Sequence, residues 1–315
     1  MSRRLALLCM AAATPFVSLC AQAQAFRTYV ASYGNDANSC TVSAPCRLLP
    51  AALAATVDAG EVWMLDSANF NQGPVDITKS VAIRAVPGQV GSILAVRNAP
   101  AVRIATAGVK VALKNVAIGN NAAAPGSVGI QITNGAMLTV EESLFQDLPG
   151  DGIWADGTTA IINVSHSIFR NLGGYGITAR DGPTVSVSNS QVVGGSGVQA
   201  WGVTDANATT TLSVSDSTLS GLGSNGSTVG VFAGSTSGNA RVTVTRSTIN
   251  YHSVGLLCSW YTGSASLTVS GSTVSGNGFG VEQEGTQAVC ASLGNNHIAG
   301  NQFDVSANLS TVPLR

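Results

Sequence analysis

INVSHSIF, residues 162–169, sets two apolar residues at alternate positions, then Ser167, then an apolar pair. The octet returns as LTVEESLF from 138, VSVSNSQV from 185, LSVSDSTL from 212, VTVTRSTI from 242 and LTVSGSTV from 267. A weaker copy, ASLGNNHI from 291, puts Asn296 where the others carry serine. Alternation with period two marks a half-buried strand. In isolation His166, flanked by two serines, invites a catalytic role. Aligned, its position holds Glu142, Asn189, Asp216, Arg246, Gly271 and Asn295 in the other copies. A position that accepts all of these is a solvated turn.

A second marker keeps the same beat. Glycine–apolar dipeptides begin at Gly129, Gly152, Gly176, Gly202, Gly230, Gly255 and Gly280, in steps of 23, 24, 26, 28, 25 and 25 residues. Two independent markers on one period identify a repeat. The copies lack the leucine spacing and helical periodicity of leucine-rich repeats. Each offers several short apolar alternations separated by Gly, Ser, Asn and Asp, which reads as short strands joined by turns. About three strands per coil, stacked coil on coil, make a parallel β-solenoid in which the inward residues form one continuous core. Ile130, Ile153, Ile177, Val203, Val231, Leu256 and Val281 are expected as one inward column. Ser143, Ser167, Ser190, Ser217, Ser247 and Ser272 are expected to line a bend, each hydroxyl bonding backbone or the next rung.

EVWML, VDI and VAIRA, within 61–85, read as the three strands of the first coil. About nine coils at about 4.8 Å per rung give a stack roughly 40 Å long. PAALAATVDAG (50–60) reads as a short helix covering the mouth of coil one, with Pro50 near its first turn. The tail FDVSANLSTVPLR (303–315) is expected to close the far end.

The first 25 residues read as a removable leader. Arg3 and Arg4 precede the apolar stretch LALLCMAAATPFVSL, too short to span a bilayer, and Ala-Gln-Ala before Phe26 suits cleavage. Secretion or a periplasmic destination is therefore expected, with no membrane insertion. Hydrophobic residues at 45% and charged residues at only 10% argue against disorder. A net charge of −1 gives no electrostatic reason to expect nucleic acid. Beyond the leader four cysteines remain. Cys40 and Cys46, close together in CTVSAPC, are expected to pair; Cys258 with Cys290 follows by elimination, against two buried free thiols.

The segment from TYVASYGNDANSC to VDITKSVAIRA (28–85), together with SLGNNHIAGNQFDVS (292–306), resembles secreted bacterial right-handed β-helix repeat proteins of the pectin-lyase-like superfamily. The resemblance covers nearly all the chain after the leader. It implies an all-β fold, a right-handed parallel β-helix with a short N-terminal capping helix. The domain plan is then a leader (1–25), an N-terminal cap with the Cys loop and helix (26–60), the β-helix (61–303) and a C-terminal cap or tail (304–315). It implies less about activity, because the superfamily includes lyases, hydrolases and epimerases. The Asp-Asp, Gly-His-Gly and Arg-x-Lys elements of its polygalacturonase-like members are absent, as is the Asp-Pro-His-Asp of its epimerases.

Register supplies a candidate site. Four residues past the ladder glycine lie Asp156 and, one coil on, Arg180; Asp181 follows, and Asp205 lies three past Gly202. The functional reading makes Arg180 a carboxylate clamp or base and the acids proton donors or cation ligands. The alternative is a surface charge ladder, which contributes little stability. No cofactor is expected; calcium is possible but not indicated, and no cysteine spacing forms a metal site. Two past the glycine, an outward column reads Gln131, Trp154, Thr178, Thr204, Phe232, Leu257, Glu282. Trp154 and Phe232, with Trp260 and Tyr261 in a later turn, are candidate sugar-stacking aromatics, Trp154 having packing under a loop as its equal alternative. Tyr175, Trp201 and Phe279, just before ladder glycines, are expected inward. Turns short enough to keep the period leave little chain for the walls of a cleft. The sequence thus favours a monomeric, polysaccharide-interacting protein over a polysaccharide lyase or glycoside hydrolase, with a structural or adhesive surface protein as the third reading.

Overall fold

The computed structural model describes residues 24–157, 159–222, 227–306 and 309–312. The expected leader falls almost wholly on 1–23, outside the described residues. The chain winds through three parallel sheets, visiting them in the same order in every coil. The first sheet has twelve strands, from Ala25–Val30 to Ser310–Thr311, and the second and third have ten each. The octet explains one corner of each coil. Its first half is a first-sheet strand such as Ile161–Ser165, and its last residues begin a second-sheet strand such as Ile168–Arg170. The ladder glycine lies in the third sheet, as in Tyr175–Arg180. Coils pair in register, Ile162 beside Val185 and Val164 beside Val187.

The corner between first and second sheets is a single left-handed residue. Asn115, Glu142, His166, Asn189, Asp216, Arg246 and Gly271 all have φ between 45° and 58°. The serine that follows is buried, and its hydroxyl does two jobs. Ser167 Oγ donates to its own Ser165 carbonyl at 2.8 Å and accepts the Ser143 N–H at 3.2 Å. Ser190, Ser217, Ser247 and Ser272 extend the chain of bonds to Asn296, whose Oδ1 accepts the Ser272 N–H at 2.9 Å. Small hydroxyls are needed because each corner N–H turns away from a strand partner, and a buried unpaired donor costs about 1–3 kcal/mol. Ser190→Ala is therefore expected to lose about 1–3 kcal/mol, read as a lower denaturation midpoint. An unchanged midpoint would show that the Ser167 N–H finds another acceptor.

The interior is filled from all three sheets, with Phe145 and Phe169 stacked at 4.4 Å between adjacent coils. The glycine ladder exists because both residues of each glycine–apolar dipeptide face this core. A Cβ on Gly152 would lie 2.6 Å from both the Gly176 carbonyl oxygen and Phe169 Cδ1. On Gly255 it would meet the Gly280 oxygen at 2.7 Å and Val274 Cγ1 at 2.8 Å. No side chain fits either gap.

Four expectations change. The stack has about ten coils rather than nine. VAIRA is Val81–Ala85 in the first sheet, so it opens the second coil; the first coil uses the overlooked Ala68–Asn69. The helix stops at Ala55, and β-branched Thr56 and Val57 start the strand Thr56–Met64 instead. The helix still buries Leu49, Ala52 and Leu53 at the first coil. Finally, the inward column passes through Val198, not Val203: Ile177 pairs with Val198, which pairs with Val231. The ladder glycine of that coil is therefore Gly197. At the far end, Phe303–Val305 and Ser310–Thr311 extend the third and first sheets.

Both cysteine pairs are disulfides, Cys40–Cys46 and Cys258–Cys290. The second crosses the core from the third-sheet strand Val254–Trp260 to the first-sheet strand Ala288–Ser292.

Candidate functional site

The outward face of the third sheet holds the candidate residues, and the shift from Gly202 to Gly197 rearranges them. One column now reads Gln131, Trp154, Thr178, Gln199, Phe232, Leu257, Glu282. Gln199 takes the place expected of Thr204. The neighbouring column runs Asp156, Arg180, Trp201, Gly234. Trp201, expected in the core, is thus on the outer face and half-buried. Tyr175 and Phe279 are likewise half-buried rather than interior, Phe279 stacking at 5.0 Å on exposed Phe303.

The strip is mutually supporting. The Arg180 guanidinium lies 5.7 Å from the Trp201 ring centre, and the edge of Trp201 meets Phe232 at 5.7 Å and 81°. Gly234 leaves the space over which the Phe232 ring lies. Asp156 approaches Arg180 Nε only to 3.7 Å, too far for a hydrogen bond. Arg180 Nε is buried and has no hydrogen-bond partner among the described residues.

Asp181 and Asp205 do not join them. Asp181 turns back to brace the following loop, accepting the Val203 N–H at 2.6 Å, the Thr204 N–H at 3.0 Å and the Thr204 hydroxyl at 2.7 Å. Burial opposes its ionisation, but these donors outweigh burial and hold the carboxyl below its ordinary range. Asp205 is exposed and accepts the Asn207 N–H at 2.9 Å within its own loop. Both border a shallow depression of ≈ 440 Å³, which Arg180 does not line. Among the described residues no three His, Cys, Asp or Glu side chains converge on a metal position. The three acids and one cation expected at one turn separate into an Asp156–Arg180 pair, a loop brace at Asp181 and a loop surface at Asp205.

Of the aromatics, Trp154 borders a ≈ 290 Å³ depression with Gln131 and Asp151. Trp260 packs against the core and donates its indole N–H to the Gly263 carbonyl; Tyr261 is exposed. These two stand apart from the strip, in which Trp201 lies against Phe232.

Asp151 is the residue that reading by register overlooked. It accepts the Tyr175 N–H at 2.7 Å, and burial pushes its carboxyl up against the hydrogen bonds from Thr178 and Tyr175. Burial, reinforced by Asp151, pushes the Tyr175 phenol up to about 12. Thr178 and Gln199 are buried despite facing outward, with Gln199 Nε2 donating to Thr178 Oγ1 at 2.8 Å. One signal was available. Among the residues just before the ladder glycines, Asp151 alone is charged.

A family model described as "Right handed beta helix region" matches residues 96–218. No curated protein sequence matches the chain. Among solved structures, the pectate lyase Pel9A superposes with TM-score 0.54 at 16% identity, over 87% of this chain and 73% of that one. An alginate lyase from Paenibacillus sp. str. FPU-7 gives 0.56 at 12% identity, over 90% and 100%. XylC, solved with xylose, gives 0.55 at 7% identity, over 82% and 69%. At these identities the likeness is one of fold. No helix among the described residues is long and apolar enough to cross a membrane.

Proposed function

We propose that this right-handed parallel β-helix protein is an exported protein that contacts an acidic polysaccharide along the outward face of its third sheet. The observation that carries the reading is the Trp154, Arg180, Trp201, Phe232 strip. Aromatic faces suit the C–H faces of sugar rings. Between them stands a guanidinium held on an indole and only loosely paired with Asp156, which suits a carboxylate. Two disulfides are consistent with export. The fold is shared with a pectate lyase and an alginate lyase, which is compatible with the reading without carrying it.

The test is a glycan array followed by titration of the best acidic oligosaccharide. Arg180→Gln is expected to weaken binding by about ten- to a hundredfold, the worth of a hydrogen bond to a charged group. Trp201→Ala should weaken it as well, since it removes both a stacking face and the support of Arg180. An array without any acidic glycan bound would overturn the proposal.

One observation favours a second reading, catalysis. A carboxyl with raised pKa beside Trp154 has the properties of a general acid. If the protein is a lyase or hydrolase, Asp151 is the better proton donor than the Asp181 and Asp205 of the turn. Polysaccharide cleavage by the unaltered protein that Asp151→Asn abolishes would establish it.

A further inference from the structure

The connection from the third-sheet strand Ser196–Gly202 to the first-sheet strand Thr209–Ser215 is residues 203–208, twice as long as its neighbours 181–183 and 236–238. The stack does not need this extra length. Asp205, Ala206 and Asn207 are exposed, and so is Thr209. Both ends of the connection are fixed. Asp181 accepts the Val203 and Thr204 N–H groups, and the Ala208 carbonyl accepts the Asn239 N–H at 2.9 Å. Between them Asp205 closes a turn, its Oδ1 accepting the Asn207 N–H and its carbonyl the Ala208 N–H at 3.1 Å. The Asn207 side-chain amide is left to solvent, with no hydrogen bond among the described residues.

The turn reads Asp205-Ala206-Asn207-Ala208-Thr209. Asn-x-Ser/Thr, with x not proline, is the acceptor pattern for N-linked glycan, and it requires a surface loop of an exported chain. Triplets of this kind also begin at Asn163, Asn225 and Asn308. Two residues before those stand Ile161, Gly223 and Ser306; only before Asn207 is that residue an acid. Oligosaccharyltransferases divide on this point. One class takes the bare triplet, and another also binds a carboxylate two residues before the asparagine. Asn163 differs in setting too, lying mid-strand in Ile161–Ser165 between Thr139 and Ser186 of the adjacent coils. Asn225 and Asn308 lie outside the described residues.

We infer that Asn207 is an acceptor of N-linked oligosaccharide from a transferase of the acid-requiring class, which rests on the export part of the proposed function. In the transfer, Asn207 Nδ2 bonds to the anomeric carbon of an oligosaccharide carried on a lipid diphosphate. The bond from that carbon to the diphosphate oxygen breaks, and the lipid diphosphate leaves with the electron pair. One amide proton passes to a base of the transferase. The first sugars of the attached chain then lie beside the ≈ 440 Å³ depression. Its border is Asp205, Ala208 and Thr209 on one side and Asn134, Gly135 and Thr159 of earlier coils on the other, a polar rim suited to sugar hydroxyls.

The experiment produces the full chain in a bacterial host that carries such a transferase and its lipid-diphosphate oligosaccharide, and reads the intact mass of the product. The unaltered chain is compared with Asn207→Gln, Thr209→Ala, Asp205→Ala and Asp205→Glu, all at exposed positions. The expected product has lost its leader and gained one oligosaccharide, placed on Asn207 by peptide mapping. The gain should vanish in Asn207→Gln and Thr209→Ala. Occupancy should fall at least about tenfold in Asp205→Ala and return in Asp205→Glu, because a site built to bind the carboxylate discriminates against its loss. A leaderless chain with no gain, or with the gain at Asn163, would overturn the inference and leave export standing. Full occupancy in Asp205→Ala would overturn the acid-requiring class. A chain that keeps its leader would overturn export instead; incubating the purified, folded protein with the transferase and donor then decides the acceptor by the same mass.

Discussion

Removing the Cys258–Cys290 bond is expected to cost about 3–4 kcal/mol and to melt the last coils before the rest. The bond closes a loop of sequence separation 32, against 6 for Cys40–Cys46, for which the same chain-entropy argument gives about 2 kcal/mol. Placement enlarges the consequence. Between the two cysteines the chain makes more than one full coil, through Ser264–Ser270, Thr273–Ser275 and Phe279–Glu284. The bond therefore ties the final coils to the stack across the core. In a solenoid each coil is held only by its neighbours, so terminal coils have the lowest local opening energy. Hydrogen exchange on a Cys258→Ala/Cys290→Ala variant should show lost protection from about Val254 onward, while Ile161–Ser165 keeps its own. Uniform loss along the whole stack would mean that the coils unfold as one unit and that the end is not specially tethered.

The repeat was legible because both of its markers are physical necessities. A serine appears in each octet because a left-handed corner leaves an N–H for its hydroxyl to accept. A glycine appears because a Cβ would strike both a core side chain and the next coil. Where the sequence misled, it offered two candidates and even spacing chose the wrong one. SGVQAWGV (196–203) contains two glycine–valine pairs, and Gly202 keeps the steps near 25 residues. The true ladder through Gly197 steps by 21 and then 33, because the turns, not the strands, absorb length in a stack. That one slip put Trp201 in the core and Asp205 beside Arg180. The Asp156–Arg180 pairing lay in coils where the spacing was unambiguous, and it was found. Asp151 was marked only as the one charge before a ladder glycine, and the same slip displaced Gln199 from its column. Their significance lies in burial on the outer face, which depends on neighbouring side chains that periodicity does not describe.

The other large effect concerns acid. His252 is fully buried in the turn after Thr248–Asn250, and its backbone N–H bonds Asn277 Oδ1 at 3.0 Å. Neither ring nitrogen makes a well-formed hydrogen bond among the described residues. Burial, only partly countered by the Leu219 backbone, lowers its pKa from 6.5 to about 4. The folded chain thus holds a neutral imidazole where the unfolded chain would take up a proton. Below pH 6.5 the unfolded state binds more protons, so stability must fall as pH drops toward 4, by up to about 3 kcal/mol. Above pH 6.5 the contribution is complete and flat. Asp151 and Glu282, whose burial raises their carboxyl pKa values, work in the opposite direction at the acid end, so the His252 share must be taken as a difference. His252→Leu provides it, because the corresponding turns of earlier coils carry buried Leu148 and Leu172. The variant should match or exceed the unaltered protein near pH 5 and lose its relative advantage above pH 7, in parallel denaturant titrations. A difference between the two that does not change from pH 7 to 5 would mean that the imidazole is protonated in the folded chain, with a partner for its charge inside the core.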